Sequence, residues 1–144
     1  PGLLVAIREA AAHGKKYAAQ IISNAKAFGQ ALTDEGVKVE AQEFGFTASH
    51  QLAIDVTNFG VAKELSRSLA DKSNIITNFN MLPWDKDARN PSGLRIGVQE
   101  MTRYGMKEAE MGELASLMKA GLAGKAVKDE VTKLRSRFTE VLFA

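Results

Sequence analysis

The chain has 144 residues, 45% hydrophobic and 25% charged, with 19 basic against 17 acidic side chains. That is the size and balance of one globular domain with its own core, and a net charge of +2 carries neither a nucleic-acid nor a membrane-surface signal. The absence of cysteine excludes disulfides, thiolate catalysis and zinc–cysteine sites, and two isolated histidines, His13 and His50, exclude a histidine-rich metal site. No apolar run approaches the roughly 18 residues of a membrane span and no signal peptide is evident, so a cytoplasmic protein is expected. The start at Pro1 rather than methionine points to a fragment or a processed piece.

The first third reads as helix. Leu3, Leu4 and Ile7 begin an apolar stripe that His13-Gly14 interrupts. Tyr17, Ile21, Ala25, Phe28 and Leu32 then recur at spacings of three and four on one helix face, and Gly36 closes the helix as a C-terminal glycine does. The middle reads as strands around one helix. Val37 and Val39 alternate with Lys38 and Glu40. Leu52, Ile54 and Val56 alternate with Gln51, Ala53, Asp55 and Thr57. Val61, Leu65 and Leu69 recur every four residues as a short helix that Lys72-Ser73-Asn74 breaks. Ile75-Ile76-Thr77 predicts another strand, leading into Asn78-Phe79-Asn80 and a loop through Pro83-Trp84-Asp85. In the last third, Met111, Leu114, Met118 and Leu122 form one helical stripe, Gly121 and Gly124 predict a break, and Val127, Val131, Leu134, Phe138 and Val141 form a second stripe. The fold class is therefore α+β, a small, mainly antiparallel sheet covered by helices on one side.

Chemistry concentrates between residues 77 and 97. After Asn90-Pro91, Leu94, Ile96 and Val98 alternate at period two, so Arg95 points to the opposite face of its strand. Gly93 and Gly97 flank it without side chains, leaving a gap for close approach. A guanidinium on a rigid strand in such a gap suits a carboxylate gripped by two parallel hydrogen bonds, and equally a surface salt bridge. Asn78 and Asn80 offer donors and acceptors for a heterocycle edge, or merely end a strand. Phe79 and Trp84 flank the same loop, with core packing the default. Met101, Met106, Met111 and Met118 read as core filler. His50 has no carboxylate or nucleophile at a suggestive spacing, and Asp55 reads as solvated or paired. Neither a phosphate-binding glycine loop nor a nucleophile elbow is present.

The run Asn90-Pro91-Ser92-Gly93-Leu94-Arg95-Ile96-Gly97, followed by Thr102-Arg103-Tyr104-Gly105-Met106-Lys107-Glu108, resembles the C-terminal domain of serine hydroxymethyltransferase. Ile75 to Pro83 is similar to that family's Asn-Lys-Asn stretch. Ser49 to Val56 is similar to its Asn-His-bearing strand, and Asn24-Ala25-Lys26-Ala27 lies in a segment similar to its domain-entry helix. Leu82-Pro83-Trp84-Asp85 resembles archaeal members most. The resemblance implies the C-terminal small domain of an aminotransferase-like (fold type I) pyridoxal-phosphate enzyme, spanning residues 1–144, with residues 1–16 an interdomain helix and the cofactor-binding large domain absent. It implies pyridoxal phosphate as cofactor of the complete protein, a reduced pterin as co-substrate, the chain's own large domain as partner, and a homodimer.

The same resemblance assigns Arg95 to the amino-acid carboxylate and Asn80 to the pterin, with Asn78, Pro83 and Ser92 as supporting candidates. It supplies no lysine for the cofactor in this chain, so the chain alone is expected to be inactive. Three departures stand out. Phe79 replaces a lysine, Val98-Gln99-Glu100-Met101 replaces a Thr-Pro link, and the loop before Arg95 is shorter. They leave open a relative acting on another amino acid or aldehyde. The small domain of an aminotransferase or aldolase, and a non-catalytic interaction or assembly module, are the alternative readings.

Overall fold

The protein is described by a computed structural model covering residues 2–142. Helix α1, Gly2–Asp34, is followed by strands β1, Lys38–Val39, and β2, Gln51–Asp55. Helix α2, Ala62–Ser73, leads to strands β3, Asn78–Asn80, and β4, Gly93–Gly97, and three helices finish the chain: α3, Gln99–Arg103, α4, Met111–Leu122, and α5, Lys128–Ser136. The four strands form one sheet in the order β1-β2-β4-β3, and every neighbouring pair is antiparallel. Strand alternation divides the sheet as expected. Leu52, Ile54, Leu94 and Ile96 turn inward into one core with Phe28 and Leu32 of α1, Leu69 of α2 and Met111 and Met118 of α4. The helices thus cover one face, and the other carries the polar set.

Helix α1 is one uninterrupted 33-residue helix, so the predicted break at His13-Gly14 does not occur. A single interior glycine costs a helix only about 1 kcal/mol against alanine, too little to stop one this long. Its C-terminal half is anchored by Asn24, Ala25, Phe28, Gly29 and Leu32, all buried. Its N-terminal half leaves Leu3, Leu4, Val5 and Ile7 exposed. The stop is a Schellman arrangement. Gly36 stands at φ +77°, its N–H donates to the Thr33 carbonyl and the Val37 N–H donates to Leu32, both at 2.9 Å.

Three further expectations need correction. The strand predicted at Ile75-Ile76-Thr77 lies later, at Asn78–Asn80. Asn74, left-handed at φ 53°, ends α2, and hydrogen bonds between Thr77 and Ser66 hold the intervening segment to that helix instead. Gly121 is no break but a point of close approach, since a Cβ there would stand 2.7 Å from Leu69 Cδ2; the turn comes at Gly124, φ +85°. The second C-terminal stripe ends early, for α5 stops at Ser136 and Val141 is exposed. No described helix is long and apolar enough to cross a membrane.

Candidate functional site

Register places the polar residues of the open face in rows across the sheet. Lys38, Asp55, Gly93 and Asn80 form one row and Ala53, Arg95 and Asn78 the next. Arg95 is exposed while Leu94 and Val98 are completely buried, so the guanidinium points away from the core as the alternation requires. On one side its neighbour is the small Ala53, on the other Asn78. No hydrogen bond or ion pair occupies Arg95 among the described residues. The other cation of this face is taken: Lys38 Nζ donates to Asp55 Oδ2 at 2.9 Å and lies 4.5 Å from the centre of the Trp84 ring.

The gap expected beside Arg95 is partly filled. Leu82 lies over Gly93, where a Cβ would come within 2.7 Å of it, and Gln99 lies over Gly97. Glycine at these positions therefore admits neighbouring side chains rather than leaving a void. Leu82 and Gln99 bracket Arg95 along its strand, and Arg95 itself is exposed. Phe79 and Trp84 are not core residues, being 39% and 46% exposed. Phe79 sits on the edge strand β3, and Trp84 rides on the loop that crosses toward β1.

Asn80 is exposed and donates one amide hydrogen to the Met81 carbonyl at 3.2 Å. Asn78 is exposed and faces Arg95 directly in the ladder. Pro83 takes the second position of a turn closed by the Asp85 N–H on the Leu82 carbonyl at 2.9 Å, where its fixed φ is favourable. Ser92 is half-buried and works through its backbone. Its N–H donates to Asp85 and its carbonyl accepts from Val56.

Sequence reasoning passed over Asp85. Its Oδ2 accepts from the N–H groups of both Leu82 and Ser92 at 2.8 Å, tying the two ends of the loop between Asn80 and Arg95 together. These donors hold its carboxyl below the usual aspartate range. The signal in the sequence is an aspartate three residues after Leu82, a spacing at which its side chain can bond back to the N–H at the start of its own turn. At Asp55, burial raises the carboxyl, but hydrogen bonds from Thr57 and then Lys38 outweigh it, and the net shift is downward. His50 contributes its backbone carbonyl to Val98 N–H.

A cofactor lysine needs a desolvated ammonium. Among the described residues every lysine is exposed except Lys119, half-buried, which donates to the Glu35 carbonyl at 2.8 Å. The described part of this chain therefore does not fit as the holder of a carbonyl cofactor. What it offers is a free guanidinium with amides beside it.

A family model described as serine hydroxymethyltransferase matches residues 1–118. Proteins named serine hydroxymethyltransferase from Saccharolobus islandicus and Methanothermobacter marburgensis are 47% and 45% identical, each over 99% of this chain and 34% of their own length. Another from Saccharolobus solfataricus is 49% identical over 91% of this chain and 30% of its own length. The chain thus spans about a third of the length of the curated relatives it matches. Among solved structures, L-threonine transaldolase from Pseudomonas fluorescens, in its internal aldimine state, superposes with a TM-score of 0.77 at 31% identity, covering 93% of this chain and 31% of that one.

Proposed function

The chain belongs to the serine hydroxymethyltransferase family, and from that premise we propose that it is the C-terminal small domain, residues 1–144, of an enzyme that interconverts serine and glycine and passes a one-carbon unit to a reduced pterin. The observation that carries this reading is Arg95, a guanidinium unpaired among the described residues, on a rigid central strand. In the complete protein Arg95 takes the carboxylate of the amino-acid substrate through two parallel hydrogen bonds and so fixes the orientation of its α-carbon. Asn80, one row away, addresses the pterin through its remaining amide capacity, with Asn78 and the loop of Pro83 and Ser92 as support.

Pyridoxal phosphate, the family's cofactor, supplies the electron sink for cleavage of the substrate carbon bond. It is held by polypeptide outside this chain, so the chain alone is inactive. The exposed Leu3, Leu4, Val5 and Ile7 fit an interdomain helix over residues 1–16, docked on the chain's own large domain. A cytoplasmic homodimer is the setting this reading implies.

The likeness to a threonine transaldolase favours a second substrate reading, in which the same arginine holds another β-hydroxy amino acid. Kinetics on the complete protein decide both points. Two charge-assisted hydrogen bonds at about 1.5–3 kcal/mol each correspond to a loss of about 10²- to 10⁴-fold in kcat/KM when Arg95→Ala removes them. The substrate showing the larger kcat/KM, serine with a reduced pterin or threonine with an acceptor aldehyde, identifies the reaction. An Arg95→Ala protein with near-normal kcat/KM on both overturns the assignment.

A further inference from the structure

The loop between Asn80 and Arg95 crosses the open face beside the arginine. Leu82 is pressed onto Gly93, the residue facing Asn80 across the ladder, and is only 4% exposed. Trp84 reaches as far as Lys38 on β1, where the Lys38 ammonium lies over its ring and is itself held by Asp55. The loop therefore runs along the whole row Asn80, Gly93, Asp55, Lys38 and forms one wall of the space in front of Arg95. A wall built on an irregular segment needs a fastening, because loop backbone has no ladder of its own.

One carboxylate oxygen supplies it. Asp85 Oδ2 accepts from Leu82 N–H and from Ser92 N–H, both at 2.8 Å. Leu82 lies two residues beyond Asn80, and Ser92 three residues before Arg95. Ser92 is fixed in turn by Val56 N–H on its carbonyl at 3.1 Å, which joins the fastening to the end of β2. Asp87, on the same loop, instead pairs with Arg89 at the surface and ties nothing to the sheet.

We infer that Asp85 is a positioning residue of the amino-acid site: by bonding both ends of the loop with one oxygen, it holds the Leu82 wall against the arginine, whose distance from Asn80 the β3–β4 ladder already fixes. This rests on the reading that Arg95 receives the substrate carboxylate. The charge matters as well as the shape, because an ionised oxygen accepts two N–H bonds more strongly than a neutral amide oxygen.

The test uses Asp85→Ala and Asp85→Asn, with Arg95→Ala in parallel. In this chain, Asp85→Ala speeds hydrogen exchange at the Leu82 and Ser92 amides. In the complete enzyme loaded with pyridoxal phosphate, it raises the serine KM about tenfold while kcat moves less than about threefold, because ground-state placement is lost rather than chemistry. Asp85→Asn, which keeps the shape and one acceptor oxygen, gives a KM rise of about threefold. It carries the test alone if the alanine variant does not fold. A purely structural role lowers the melting temperature without moving KM, so an unchanged KM in Asp85→Asn and in any folded Asp85→Ala overturns the inference. Raised KM in Arg95→Ala beside unchanged KM in the Asp85 variants overturns the positioning role only. Unchanged KM in Arg95→Ala overturns the carboxylate reading and this inference with it.

Discussion

Arg95 and Lys38 stand on the same face of one sheet with opposite fates. Lys38 is consumed by Asp55 and Trp84, whereas Arg95 has Ala53 on one side and the neutral Asn78 on the other. A cation facing no local carboxylate is available to one brought by a ligand. The bonds that Asp55 accepts from Thr57 and then Lys38 also have a stability consequence. The Asp55 carboxyl is depressed in the folded chain, while in the unfolded chain an aspartate titrates near about 3.9. The unfolded state then takes up protons first on acidification. The stabilisation is complete above about pH 5, fades as pH falls through about 4, and continues to fade until the folded pKa is passed. Asp55→Asn is accordingly expected to lower the urea midpoint at pH 7 and to flatten its decline between about pH 5 and 3. A decline as steep as in the parent chain would mean that Asp55 gains nothing from Lys38 and Thr57.

Elements are joined by a few buried polar contacts that periodicity does not reveal. Asn24, fully buried on α1, donates to Thr102 Oγ1 and to the Met106 carbonyl, both at 2.8 Å. Thr102 Oγ1 in turn donates to the Val98 carbonyl at 2.7 Å. These bonds dock α1 onto α3, which follows directly from the Arg95 strand, and Tyr17 adds a hydrogen bond to the Gln99 carbonyl. Asn24→Ala strands buried partners and is expected to cost about 1–3 kcal/mol in chemical denaturation. A loss below about 0.5 kcal/mol, the range of ordinary surface changes, would contradict this docking role.

The same elements show what the sequence made legible. Alternation around Leu94, Ile96 and Val98 aimed Arg95 correctly, and the methionine and leucine stripes marked α4. Helix α3 went unread because five residues span barely more than one turn and hold no periodicity. Ile75 and Ile76 have the stronger β propensity, yet the strand forms at Asn78–Asn80, where tertiary pairing with Gly93 to Arg95 decides the register. Asn24 lay inside a familiar-looking Asn-Ala-Lys-Ala run without a stated reason for being asparagine. That reason is Thr102, 78 residues away. The fastening by Asp85 was equally hidden, because it depends on two backbone N–H groups brought together only by the fold.

At the scale of the whole molecule, the chain is about a third of its relatives' length. Helix α1 has its fully buried residues only in its C-terminal half, while nearer its start Glu9 pairs with Arg103 and Leu3, Leu4, Val5 and Ile7 stay exposed. The open face of the sheet presents Arg95, Asn78 and Asn80 together, with the loop wall beside them. Arg95 is proposed to recognise the carboxylate of an amino acid. The direct measurement is calorimetric binding of glycine and of glycinamide to the complete protein, with and without Arg95→Ala. Glycine affinity is predicted to fall by about 100-fold or more, in line with two lost charge-assisted hydrogen bonds, while glycinamide affinity changes little. Equal losses for the two ligands, or an unchanged glycine affinity, would contradict it.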